Sequence, residues 1–142
     1  MTERSAYLSV IMPMYNEEAN VSRLYKQLRR VLIQQKFSYE IICVDDGSSD
    51  GTFRELCNLA LCDPCLRVIQ LRRNFGQTAA MAAGADQSTG QVIVFMDGDL
   101  QNDPADIPRL LAKLDEGYDI REWLAQKQAR CPIQPSAAFQ NC

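Results

Sequence analysis

Histidine is absent from this 142-residue chain, and neither charge dominates, with 15 basic and 18 acidic side chains giving a net charge of −3. So even a balance excludes the broad basic surface that binds nucleic acid, and an anionic ligand has to be held by local groups or by a metal. Long apolar runs are also missing. The longest fall far short of a membrane span, and Met1-Thr2-Glu3-Arg4-Ser5 opens no signal-peptide apolar region, so folding in the cytoplasm is expected. The six cysteines are irregularly spaced and follow no secretion signal, which favours reduced thiols over a disulfide scaffold. Their one close pair, Cys62-Asp63-Pro64-Cys65, falls short of the ligand set of a structural zinc site, with no imidazole to complete it, and does not open a helix as a redox pair does. Glycine is lacking from the turn Pro13-Met14-Tyr15-Asn16 after the first apolar run, and no Walker lysine motif occurs. Those absences set aside the dinucleotide fingerprint and the P-loop.

What is present is enough apolar material, 46% of residues, for one core in a single domain or part of a larger one. Its spacing alternates strand and helix. Residues 8–12 read as an apolar strand, and 17–34 as a helix whose Val21, Leu24, Tyr25, Leu28, Val31 and Leu32 share one face. Strands at 39–44, 67–71 and 91–96 alternate with helices at 52–61 and 77–87, the latter rich in alanine. A last helix starts near Pro104, turns Ile107, Leu110, Leu111 and Leu114 inward, and stops at Gly117 before the short apolar Tyr118-Asp119-Ile120. Such alternation predicts an α/β fold, a mostly parallel sheet with helices on both faces. Sheets of this kind bind ligands at the carboxyl ends of their strands.

Polar clusters follow three of the predicted strands. Asp97-Gly98-Asp99-Leu100-Gln101 comes directly after the apolar Val92-Ile93-Val94-Phe95-Met96. Like charges about 4 Å apart repel by roughly 4 kcal/mol at an effective dielectric of about 20, so two ionised carboxylates this close call for a cation. A divalent metal holding a phosphate fits. A calcium loop does not, because its sixth and twelfth positions want Gly and Glu where this chain has Asn102 and Pro108.

The other clusters have plain structural readings. Asn16 reads as a helix N-cap with Glu17 and Glu18 complementing the positive helix end. The run Asp45-Asp46-Gly47-Ser48-Ser49-Asp50-Gly51-Thr52 could be a turn, yet paired aspartates are costly for a turn at the end of a buried strand and could instead accept hydrogen bonds from a base or ribose. Arg72-Arg73-Asn74-Phe75-Gly76 is either a basic turn or a pair of cations brought to the edge where phosphates would sit.

In this order, Pro13-Met14-Tyr15-Asn16-Glu17, the Asp45–Thr52 run, Arg73-Asn74-Phe75-Gly76 and Asp97-Gly98-Asp99-Leu100-Gln101-Asn102-Asp103-Pro104 resemble family 2 glycosyltransferases, over roughly residues 7–120. The likeness is to the polyprenyl-phosphate branch, similar to dolichol-phosphate mannose synthase and the bacterial undecaprenyl-phosphate glucosyltransferases. It implies the Rossmann-like nucleotide-diphospho-sugar transferase (GT-A) fold, incomplete at the C-terminus. By that resemblance Pro13, Tyr15 and Glu17 with Asp46 would hold the base and ribose of a UDP- or GDP-sugar, Asp45 would support that pocket, and Arg73 would count among the donor-binding residues. Asp97, Asp99 and Gln101 would surround Mg2+ or Mn2+ on the diphosphate, with Asp97 and Asp99 as the catalytic pair. The implied reaction is transfer of the sugar to a polyprenyl phosphate with inversion, at the cytoplasmic face of the membrane in a full-length relative.

After Ile120 the likeness stops. Residues 121–142 form a polar tail, and reading the back-translated codons of 121–130 one base later permits Val-Ser-Gly-Trp-Arg-Lys-Asn-Arg-Arg-Asp, which resembles the family's continuation. The expected organisation is a donor-binding half at 1–120 and a frameshifted, non-homologous tail at 121–142. Acceptor-side and membrane-contacting segments would then lie beyond the break. An unpaired last strand and uncovered apolar surface predict low stability and self-association. The alternatives are a non-catalytic nucleotide-sugar-binding fragment, or an interaction fragment in which every cluster is only a turn or cap.

Overall fold

The computed structural model describes residues 6–117 and the backbone of the short segment Phe139–Asn141. Four strands, β1 (Leu8–Met14), β2 (Tyr39–Asp45), β3 (Leu66–Leu71) and β4 (Val92–Phe95), alternate with α1 (Glu18–Leu32), α2 (Thr52–Cys62), α3 (Gln77–Gln87) and α4 (Asp106–Asp115). These strands pair in parallel, and β5 (Phe139–Asn141) runs antiparallel along β3, so the sheet order is β4-β1-β2-β3-β5. Tyr118-Asp119-Ile120 and the proposed frameshift point lie outside the described residues.

Both sheet faces are covered, as the unbroken apolar strands require. On one face Leu8, Val10 and Met12 of β1 pack with Leu24 and Leu28 of α1, Leu56 of α2, and Ile107 and Leu111 of α4. On the other, Ile11, Ile42, Val44, Ile69 and Leu71 meet Ala80 and Ala83 of α3. The alanine-rich sequence of α3 has a steric reason here. A Cβ on Gly84 would stand 2.4 Å from Ile11 Cγ2 and 3.2 Å from Val44 Cγ2, so the helix lies too close to the sheet for a larger residue.

β1 runs two residues past the expected end at Met12, through Pro13, although proline is rarely tolerated in a central strand. Hydrogen bonding explains it. Met14 accepts from Asp46 N on the β2 side and Ile11 accepts from Met96 N on the β4 side, so alternation turns Pro13 toward β4. β4 pairs only as far as Phe95, opposite Ile11, and the missing proline N–H has no ladder partner to lose.

Two buried carboxylates lock the end of the sheet away from the polar turns. Glu40 accepts from Ser9 Oγ at 2.6 Å and Thr89 N at 2.6 Å, and pairs with Arg67 at 3.2 Å. Burial pushes its pKa up, but these hydrogen bonds outweigh that and hold it below the ordinary value. Asp63 accepts from Tyr25 Oη at 2.6 Å and Cys65 N at 2.9 Å, with Arg29 Nε 3.1 Å away. Cys43, Cys62 and Cys65 are free thiols, as expected.

Candidate active site

At the carboxyl edge of the sheet the turns after β1 and β2 cap each other's helices. Asn16 is not the N-cap of α1: that position falls to Glu17, which makes no side-chain cap. Asn16 instead sits at φ 51°, and its Oδ1 accepts from Ser49 N at 2.9 Å while Ser48 Oγ lies 2.9 Å from its own N–H. The first N–H groups at the α1 end are met from the other loop, Glu17 N by Thr52 Oγ1 at 2.9 Å and Glu18 N by Asp50 Oδ2 at 3.3 Å. In return Glu18 accepts from Gly51 N at 3.0 Å, and Asp50 accepts from Thr52 N at 2.9 Å. Helix ends leave N–H groups without intrahelical partners, and these two turns supply them mutually.

The paired aspartates at the end of β2 diverge. Asp46 reaches toward the segment after β3, where its carboxylate accepts from Phe75 N at 2.8 Å and Gly76 N at 3.1 Å. That approach needs Gly47, at φ +70°, because a Cβ there would stand 2.3 Å from the Arg73 carbonyl carbon. Asp45 is fully buried; Ser48 N is 3.4 Å from Oδ1, and Oδ2 has no hydrogen-bond partner. Burial raises its pKa, and hydrogen bonds from Ser48 and Gln70 offset this only in part.

Asp97 and Asp99 follow β4. Gly98 between them packs against the end of β1, where a Cβ would meet Met14 Sδ at 2.4 Å and Pro13 O at 3.3 Å. Gln77, the first residue of α3, donates through Nε2 to Asp97 Oδ1. Leu100 adopts φ 64°, and Gln101 N donates to Asp99 Oδ1 at 3.1 Å. Between these groups lies a cavity of about 310 Å³ lined by Pro13, Met14, Tyr15, Glu17, Asp46, Asn74, Gly76, Gln77, Asp97, Gly98 and Asp99. The lining carries the carboxylates of Glu17, Asp46, Asp97 and Asp99 and no cation.

Six of the residues singled out from the sequence, Pro13, Tyr15, Glu17, Asp46, Asp97 and Asp99, therefore share one cavity. Three do not line it. Asp45 lies buried beneath the β2 turn, Gln101 is exposed, and Arg73 is exposed with its guanidinium 4.6 Å from the centre of the Phe75 ring. Of the other five lining residues, Met14, Asn74, Gly76 and Gly98 stand within the motifs read from the sequence without being singled out, and Gln77 was missed altogether; its signal was its place directly after the Arg73-Asn74-Phe75-Gly76 motif.

A parallel α/β sheet whose carboxyl edge gathers acidic groups around one cavity is the arrangement of the GT-A fold. The chain superposes with a TM-score of 0.59 on S. aureus TarS residues 1–349 in complex with UDP-GlcNAc, at 28% identity, covering 77% of this chain and 31% of that one. A mannosyltransferase from Pyrobaculum calidifontis in complex with GDP-Man and Mn2+ shares the fold, with a TM-score of 0.58 at 24% identity, over 68% of this chain and 28% of that one.

Residues 9–121 match Glycosyl transferase family 2, and the chain belongs to that family. It is 43% identical over 113 residues to an uncharacterized glycosyltransferase of Synechocystis sp., covering 80% of this chain and 36% of the relative. Dodecaprenyl-phosphate galacturonate synthase of Rhizobium johnstonii is 42% identical over 113 residues, with 79% and 33% covered. Undecaprenyl-phosphate 4-deoxy-4-formamido-L-arabinose transferase of Proteus mirabilis is 41% identical over 119 residues, with 83% and 36% covered. The chain thus spans about a third of the length of these curated relatives. Among the described residues no helix is long and apolar enough to cross a membrane.

Proposed function

We propose that this chain is the donor-binding half of a glycosyltransferase that takes a sugar from a nucleoside diphosphate and joins it to a polyprenyl phosphate with inversion, at the cytoplasmic face of a membrane. The carrying observation is the cavity at the carboxyl edge, lined by four carboxylates and no cation. A diphosphate would be repelled from such a lining unless a divalent cation came with it. Family membership and the named activities of the polyprenyl-phosphate relatives support the substrate class.

The residues fit a hard divalent cation such as Mg2+ or Mn2+. Asp97 and Asp99 are oxygen donors that flank one glycine and line the same cavity. Such a site leaves coordination positions for phosphate oxygens and water, the way magnesium is usually held. Asp97 and Asp99 would hold the ion, with Gln101 beside them. When bound, the ion draws negative charge from the departing nucleoside diphosphate.

The chain's own groups supply orientation. Asp46 has two oxygens and about four lone-pair sites, of which Phe75 and Gly76 take two, so it can still accept from a base or ribose. Pro13, Tyr15 and Glu17 border the same space and complete the nucleoside side. Asp45 and Arg73 act from outside the lining, Asp45 by holding the β2 turn from below. An acceptor phosphate is already ionised near neutral pH and needs little help from a base. Its oxygen bonds to the anomeric carbon as the bond from that carbon to the diphosphate breaks.

Titration calorimetry with UDP-glucose and GDP-mannose, with and without Mn2+, tests this. Metal-dependent binding that disappears in Asp99→Ala is the expected result, and wild-type chain that binds neither sugar nucleotide refutes it. Sugar transfer to a polyprenyl phosphate separates an active enzyme from the second reading, a non-catalytic nucleotide-sugar-binding fragment. The absence of a cation from the lining favours that second reading for the isolated chain, since nothing there meets an acceptor phosphate.

A further inference from the structure

Gln77 is the only residue of α3 that lines the acidic cavity, and its side-chain amide donates to Asp97 Oδ1. Its place is set from the opposite side of the cavity. Asp46 Oδ2 accepts from Gly76 N at 3.1 Å, and Gly76, at φ +100°, turns the chain into the helix while its carbonyl accepts from Ala80 N at 3.1 Å. One unbroken path of hydrogen bonds and backbone therefore runs from Asp46 through Gly76 and Gln77 to Asp97. Without Gln77, Asp97 has no other described side-chain partner to choose among its rotamers, since β4 has ended and Gly98 follows it directly. A donor on Oδ1 fixes the carboxylate plane and leaves Oδ2 available to a cation.

We propose that Gln77 is a positioning residue that holds the Asp97 carboxylate in the orientation a divalent cation needs, and that it ties this carboxylate to the nucleoside-side clamp of Asp46. The proposal rests on the functional reading above, because it concerns the same cavity. A side chain in this outer role changes metal affinity about 10-fold or more when its donor is removed, without being a ligand itself.

The test titrates Mn2+ into the full chain, with UDP or GDP present and with neither, following free Mn2+ by electron paramagnetic resonance. Thermal midpoints are recorded without metal. Gln77→Ala is expected to weaken nucleotide-supported Mn2+ binding about 10-fold while leaving the metal-free midpoint unchanged. Gln77→Asn, which keeps a neutral amide donor on a side chain one methylene shorter, is expected to recover part of the lost affinity. Equal Mn2+ affinity in wild type and Gln77→Ala overturns the inference. A lowered metal-free midpoint in both variants, with no recovery by asparagine, overturns it as well by assigning Gln77 a merely structural contact. Wild-type chain whose Mn2+ binding neither nucleotide strengthens refutes the functional reading and the inference with it, and that failure is read on the wild-type arm alone.

Discussion

Replacing Asp46 with asparagine isolates the clamp between the β2 turn and the start of α3. The carboxylate is 3% exposed and accepts from Phe75 N at 2.8 Å and Gly76 N at 3.1 Å. Hydrogen bonds to a charged acceptor contribute about 1.5–3 kcal/mol each, and neutral ones about 0.5–1.5 kcal/mol. Asparagine keeps one oxygen for one of the two N–H groups, at neutral strength, and turns an NH₂ donor toward the other. The expected loss is about 2–4 kcal/mol, a large part of the about 5–15 kcal/mol that holds an ordinary domain folded. Urea unfolding followed by circular dichroism measures it, as a midpoint lowered by roughly 1–2 M if the slope is near 2 kcal/mol/M. Amide exchange at Phe75 and Gly76 gives a local reading and should accelerate in the variant. A midpoint shift below about 0.3 M with unchanged slope, together with unchanged exchange at both amides, would show that the clamp contributes nothing and refute the reasoning.

Four further outcomes are expected. Gly84→Ala sets a Cβ 2.4 Å from Ile11 Cγ2, and the overpacking cost of about 1–3 kcal/mol should exceed the gain of about 1 kcal/mol in helix propensity, so the thermal midpoint falls; a stabilised variant contradicts the close approach of α3. Glu40 has a depressed folded pKa, so its contribution is present above the ordinary value of 4.5 and is lost as pH falls through the lower folded value. Acid unfolding of wild type should therefore be steeper than that of Glu40→Gln, and parallel curves would reject the assignment. The Tyr25 phenol, pushed up to about 12 by burial and then by its hydrogen bond to Asp63, should ionise well above the usual tyrosine range in an ultraviolet titration of wild type against Tyr25→Phe. The outer edge of β4 has no strand partner among the described residues, so sedimentation velocity should find association that rises with concentration; a monomer melting in one sharp transition contradicts this.

Period and punctuation carry most of the fold. The helices at 52–62 and 77–87 stand within a residue of their expected limits because glycine precedes each and the apolar spacing ends cleanly. β1 outruns its expected end because proline argues against a strand interior, and only the early end of β4 makes Pro13 harmless; that is a fact of pairing and is invisible in one segment. Asn16 misleads for a related reason. Its type and place suit a cap, but Thr52 and Asp50 reach the same N–H groups from a segment more than 30 residues away. At the site, residue type announces the carboxylates, whereas Gln77 carries no chemical signal until α3 sets it beside Asp97. The two adjacent aspartates look equivalent in sequence, yet strand alternation sends Asp45 beneath the turn and Asp46 into the cavity.

The mutual capping of the turns after β1 and β2 bears on how this site can change. Asn16 serves Ser49, Glu18 serves Gly51, and Asp50 and Thr52 serve the start of α1, so neither loop is complete as a separate part. A loop grafted alone from a relative would bring donors and acceptors that meet no counterpart. Exchange of 15–18 together with 48–52 would carry its partners along. Recombination between family members, in the laboratory or in a genome, should therefore tolerate crossover points outside this pair of loops and reject those that fall between them.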